Sequence, residues 1–148
     1  MSAAFTFRLG SVLRHRRRTE DARAQALRQA MEADHTARAQ HAALVRAAAA
    51  ARVALAADVA GGLTGASLRI RANVVRDILH RARKAAELAE TAAAHVHARR
   101  SELVDAARAR RAIERLEEMQ RADWRAGREH VEQRSHDEVA ATRRGENA

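Results

Sequence analysis

Eight histidines, two adjacent carboxylate pairs and a glycine cluster are the residues of this chain whose types could do chemistry. Two histidines that hold a metal from one helix sit at i and i+4, on a common face. No pair here has that spacing: His95 and His97 are two apart, on divergent faces, and the chain has no cysteine to assist them. His41 falls on an apolar stripe, where a polar residue serves to set helix register. Glu117-Glu118 and Asp137-Glu138 have the composition of an acid/base pair, but on an exposed helix without a pocket they are solvated charges. Gly61-Gly62-Leu63-Thr64-Gly65 lacks the Lys-Ser/Thr that a phosphate-binding loop requires. The chain is therefore read as not an enzyme, with no catalytic residue, no cofactor, no metal and no small-molecule substrate.

The glycine cluster instead organises the fold. The chain has six glycines and no proline, and three of the glycines fall within residues 61–65. A glycine inside a helix costs about 1 kcal/mol relative to alanine and tolerates positive φ. A cluster between two Ala- and Arg-rich runs reads as the tip of a helical hairpin. Before it, Phe5, Leu9, Val12 and Leu13 begin a stripe that continues through Leu27, Ala30, Ala37, Leu44, Ala48, Ala51 and Leu55 in steps of three and four. Arg16, Glu20, Arg23, Asp34 and His41 interrupt it. After it, Ser67 is the expected N-cap. Leu68, Val75, Ile78, Ala82, Ala85, Ala89, Ala92, Val96, Leu103, Ala106 and Ile113 form the second stripe, broken by Arg99 and Arg110 and prolonged by Leu116, Trp124 and Val131.

These patterns predict an all-α fold: two long helices in an antiparallel coiled-coil hairpin. A single domain over 1–148 is expected, with a helix over about 5–59, a tip at 60–66 and a helix over about 67–143. At 1.5 Å per residue the helices measure roughly 80 Å and 110 Å, so the second overhangs the first from near Arg121 to Arg144. Residues 1–4 and the tail Gly145-Glu146-Asn147-Ala148 are expected to be loose. The 47% apolar content is largely alanine, and aromatic residues make up 2%. Alanine contributes far less on burial than the roughly 1.5–3 kcal/mol of a Leu or Phe, so the core is a thin seam of low stability.

The net charge of +9 is uneven. Residues 1–74 hold 12 Arg against 5 acids, and residues 75–148 hold 16 Lys and Arg against 14 acids. The first half thus carries the excess, and its partner is expected to be acidic. The absence of cysteine suits a reducing compartment. No apolar run approaches the roughly 20 residues of a membrane span. In Phe5–Leu13 followed by Arg14-His15-Arg16-Arg17-Arg18 the apolar segment precedes the charge, the reverse of a secretory signal. An organellar transit peptide shares the Arg-rich, acid-free opening, but here a helical pattern runs through it. A cytosolic protein is expected.

The arginine cluster is a nucleic-acid candidate by charge alone. No aromatic residues interleave with it to stack bases, and nucleic acid is not the expected partner. Arginines near a helix N-terminus oppose the macrodipole and call for carboxylates, from the second helix or from another protein. Phe5, Phe7 and Trp124 are the only aromatics; Phe5 and Leu9 are expected to close the base of the hairpin against Ile113 to Trp124, where a partner would also grip.

Phe5-Thr6-Phe7-Arg8-Leu9-Gly10-Ser11-Val12-Leu13, followed by basic residues and Glu20, resembles the N-terminus of the FliJ family of flagellar export proteins. Arg111-Ala112-Ile113-Glu114-Arg115-Leu116-Glu117-Glu118 is similar to that family's Arg/Lys-x-Leu-Glu-x-Leu stretch. Trp124 and then Asp137-Glu138-Val139-Ala140 follow in the family's order. The resemblance implies a non-enzymatic cytoplasmic component of the flagellar type III export apparatus, an antiparallel coiled coil like the stalk of rotary ATPases. It also implies three partners: the export ATPase at the centre of its ring, the export-gate membrane protein, and export chaperones. Localisation would then be at the cytoplasmic face of the membrane, through the apparatus. The chain departs from the family in being unusually Arg- and Ala-rich, and the family's gate-binding residues are not carried over. The candidate protein-binding residues are Phe5, Arg8, Leu9, Leu13, Arg14, Arg16, Arg17, Arg18, Trp124, Asp137 and Glu138, taken as the ATPase-binding end. Two other readings are the equivalent stalk of a virulence secretion system and an Arg-rich helical nucleic-acid-binding or scaffold protein.

Overall fold

A computed structural model describes the backbone of residues 4–145 and the side chains as far as Glu138. Two helices account for most of it, α1 over Gly10–Ala60 and α2 over Gly65–Gly145, packed against each other as a helical hairpin. With no proline and many alanines, nothing in either run breaks a helix. The chain divides into two compact units, Ala22–Val104 and Met1–Asp21 with Asp105–Ala148.

The unit Ala22–Val104 contains the turn. Leu63 donates its N–H to the Asp58 carbonyl at 2.9 Å, and Gly62 donates to Val59 at 3.1 Å. These two bonds form a Schellman cap, which needs a left-handed residue at Gly62; its φ is 90°. Gly65, at φ 67°, turns the chain directly into α2. The non-helical tip is therefore 61–64, shorter than the expected 60–66. Ser67 lies inside the first turn of α2 and is not the residue before it, since the chain is already helical from Gly65. An Arg71–Asp58 ion pair ties α2 to α1 beside the turn. Farther along, Arg23 donates to Glu102 at 2.7 Å, and Arg99 donates to the same carboxylate.

The seam of this unit is made of small side chains. Ala48, Val75, Ala82 and Ala85 are buried, while Leu27, Ala30, Ala37, Leu44, Ala51 and Leu55 are half-buried. Of the residues expected to interrupt it, Asp34 and His41 are half-buried on the seam, but Arg23 is exposed and so is Arg16 in the other unit. A long arginine at the edge of a thin seam keeps its charge in water at little cost.

In the unit built from Met1–Asp21 and Asp105–Ala148, α1 starts at Gly10, five residues later than expected. Residues 4–7 are not helical, and 8–9 form a turn in which Gly10 donates to Phe7 at 3.1 Å. Phe5 and Leu9 thus precede the helical stripe. The physical reason is Phe5 itself, whose ring sits against Trp124 of α2; the non-helical lead-in makes that contact. Among the described residues of this unit Leu13 is the buried side chain, at 5% exposure, with Ile113, Leu116 and Trp124 half-buried on α2. Val131, expected to prolong the stripe, is 67% exposed, and residues 129–138 are exposed throughout: α2 overhangs.

Candidate protein-binding surface

All eleven candidate residues belong to the unit Met1–Asp21 with Asp105–Ala148. Their environments differ. Phe5 is half-buried, its ring centroid 6.0 Å from that of Trp124 and inclined by 55°. Tilted aromatic pairs of this kind are worth about 0.5–1.5 kcal/mol beyond area burial. Two guanidinium groups cover the pair: Arg121 stands 5.4 Å from the Phe5 ring centre, and Arg128 stands 5.3 Å from that of Trp124. Each is steadied by a carboxylate one turn away, Arg121 by Glu117 at 2.7 Å and Arg128 by Glu132 at 2.9 Å. Leu9 is half-buried in the turn before α1, and Leu13 is buried one turn later.

The arginine cluster splits. Arg17 donates to Glu114 at 3.2 Å across the two helices. Arg8, Arg14, Arg16 and Arg18 are exposed and have no carboxylate partner among the described residues. Arg14 and Arg18 are one turn apart, so two like charges share a face, an arrangement that slightly destabilises a helix. Asp137 and Glu138 are exposed on the overhang, about 20 Å along α2 from Trp124 at 1.5 Å per residue. The structure brings together Phe5 and Trp124, and it half-buries Leu9 and buries Leu13 in the same unit. It does not bring Asp137 or Glu138 to them.

One feature escaped the sequence reading. Arg110 donates from Nε to Glu20 on α1 and from Nη1 to Glu114 on α2, which also accepts from Arg17. All three members of the Arg110 pairings are roughly three-quarters shielded from solvent. The Glu20 hydrogen bond foremost, and then the Glu114 charge, holds the Arg110 guanidinium above its already high ordinary pKa, against the opposing effect of burial. The signal was present: Glu20 and Arg110 interrupt the two stripes at about equal distances from the turn, where antiparallel helices place residues opposite each other. In the other unit, Glu102 is held below the ordinary carboxylate range, first by its hydrogen bond from Arg99 and further by Arg23. Beyond Trp124, a shallow groove follows α2, lined by Trp124, Gly127, Arg128, Val131 and Glu132. Among the described residues no group of three or more His, Cys, Asp or Glu is placed to hold a metal ion, and no helix is long and apolar enough to cross a membrane.

The fold and this surface define the class: a helical hairpin protein with an aromatic pair, Phe5 and Trp124, and arginines that have no carboxylate partner among the described residues. Compared with known families, the chain matches the Flagellar FliJ protein description over residues 5–147, and it belongs to the FliJ family. It is thus a flagellar export-related protein, concerned with flagellum biogenesis and protein export. No curated protein and no solved structure matches it.

Proposed function

We propose that this chain works as a single hairpin domain, a non-enzymatic stalk of the flagellar type III export apparatus. In this reading it binds the export ATPase ring through the end that holds Phe5, the arginine cluster and Trp124. It also engages the export-gate membrane protein, escorts export chaperones, and resides at the cytoplasmic face of the membrane through the apparatus. The observation that carries the reading is the split of the arginine cluster. Arg17 is taken up by Glu114, while Arg14, Arg16 and Arg18 on the same helix turn are left without carboxylates among the described residues. An acidic lining of a ring would supply those carboxylates, and complementarity of this kind raises the association rate and orients the partners.

The test is the rate of ATP hydrolysis by the cognate flagellar export ATPase, titrated with the protein at moderate salt. Saturable stimulation is expected, with the titration shifted to much higher concentration for the triple variant R14E/R16E/R18E. Arg17 is left in place so that its Glu114 contact is undisturbed. Stimulation by the triple variant at wild-type concentrations overturns the assignment of the surface. Absence of binding and of any rate effect by the wild type overturns the stalk reading.

A further inference from the structure

Gly127 lies in the interior of α2, far from either end, and its φ is not positive. A glycine there weakens the helix relative to alanine, and no turn asks for one. A Cβ added to it would meet nothing within 4 Å. Trp124, Gly127, Arg128 and Val131 stand at i, i+3, i+4 and i+7. In a coiled coil, four residues at that spacing form the hole that receives one knob from a facing helix. The same four, with Glu132, line the groove beyond Trp124. Trp124 and Arg128 are half-buried, but Gly127 is exposed and Val131 is 67% exposed, so the hole is open. It lies on the stripe that ran through Ile113, Leu116 and Trp124, one step past the Phe5 ring.

The chemistry of the hole selects what fills it. Its one cation is already engaged: Arg128 lies 5.3 Å from the Trp124 ring centre and pairs with Glu132 at 2.9 Å. The hole therefore offers apolar contact rather than charge, and the missing side chain of Gly127 leaves room for a large knob. A hollow on one helix encloses no small molecule, whereas its spacing matches a side chain of a second helix. A second copy of the overhang supplies no such knob, because Val131 is the only large apolar residue among 125–138. The knob thus comes from another protein. The same unit presents Arg14, Arg16 and Arg18 without carboxylates among the described residues, and the reading above gives these to the export ATPase. We propose that a helix of the export ATPase ring inserts a large apolar side chain, of the Leu, Met or Phe class, into the hole formed by Trp124, Gly127, Arg128 and Val131. This rests on the stalk reading and adds an apolar anchor to it: the arginines attract the ring, and the hole holds it in register.

The experiment is the ATP hydrolysis titration with Gly127→Leu, which fills the hole from within. This variant is expected to raise Tm, because leucine is the better helix former and the space around Gly127 is empty, so lost stimulation would not be lost folding. Burial of one large apolar side chain changes affinity by about ten- to a hundredfold. Half-maximal stimulation by Gly127→Leu is therefore expected at a concentration at least about tenfold above that of the wild type. Val131→Ser removes one wall of the hole at an exposed position, and it carries the same test with a smaller shift should Gly127→Leu misfold. Salt separates the two kinds of contact: the shift caused by R14E/R16E/R18E should shrink as salt rises, and that of Gly127→Leu should persist. If the wild type stimulates and folded Gly127→Leu stimulates equally well, the anchor is overturned and the stalk reading stands. Absence of stimulation by the wild type overturns both. A Gly127→Leu shift that disappears at high salt also overturns the anchor. Self-association of the wild type in sedimentation velocity that Gly127→Leu abolishes overturns it in favour of a second copy.

Discussion

Replacing Leu13 by alanine tests whether a seam this thin is what stabilises the end of the hairpin. Leu13 is 5% exposed, while most other large apolar side chains of its unit are half-buried or exposed. Leu and Ala have nearly equal helix propensity, so the substitution changes burial and little else. Buried Leu→Ala substitutions cost about 2–5 kcal/mol, depending on how far the surroundings relax into the space. Here only one helix packs over the site, and it can settle inward, which places the expected loss near 2 kcal/mol at the lower end of that range. For a chain of this size a loss of that order lowers Tm by about 4–8 °C. The control is Val53→Ala, at a position 71% exposed. It removes no burial and gains a few tenths of a kcal/mol, about 0.5, of helix propensity, so its Tm should hold or rise slightly. Both variants are followed by thermal unfolding in far-UV circular dichroism. A Leu13→Ala shift no larger than that of Val53→Ala refutes the idea that burial at Leu13 holds this end together.

Other outcomes follow from single contacts. Trp124 is the only tryptophan, so Phe5→Leu should red-shift its fluorescence and increase its quenching by acrylamide; an unchanged spectrum would mean the rings do not meet in solution. Gly62→Ala forces a side chain into φ 90° and should destabilise by about 1–2 kcal/mol, whereas Gly127→Ala, in open space within α2, should stabilise by up to about 1 kcal/mol; urea midpoints that move in the same direction contradict this. Arg99 and Arg23 depress the Glu102 pKa, so between its folded and unfolded values the folded chain binds fewer protons. That stabilisation is complete above the ordinary Glu value of about 4.3 and is lost as pH falls through the folded value. Glu102→Gln should therefore lower Tm at neutral pH, with the gap closing in acid; a gap that widens on acidification refutes the assignment.

Much of the hairpin was legible because helix propensity and apolar period are local. The glycines at 61–65 mark the turn whatever lies around them, and the half-buried set from Leu27 to Leu55 follows the stripe of threes and fours. The errors occurred where a tertiary contact outweighed a local signal. Phe5 fits a helical stripe with Leu9, Val12 and Leu13, yet its ring packs on Trp124 and the chain is not helical until Gly10. Ser67 has the chemistry of an N-cap, but α2 already runs from Gly65, two residues earlier. Val131 keeps the period after the seam has ended, because period marks a face and says nothing about whether anything covers it.

The candidate surface divides along the same line. Residue types alone determined that the chain is helical, folded back at one glycine cluster, poor in buried side chains and rich in arginine. They also carried the FliJ resemblance. Only the tertiary structure decided which arginines are neutralised. Arg14, Arg16, Arg17 and Arg18 are indistinguishable in composition, yet one of them meets Glu114 and the rest meet no carboxylate among the described residues. Arg110, which in the sequence is a flaw in the apolar stripe, becomes the group that joins Glu20 to Glu114. Charge is a property of a residue, but neutralisation depends on distances between residues ninety positions apart, and those distances exist only once the helices have packed.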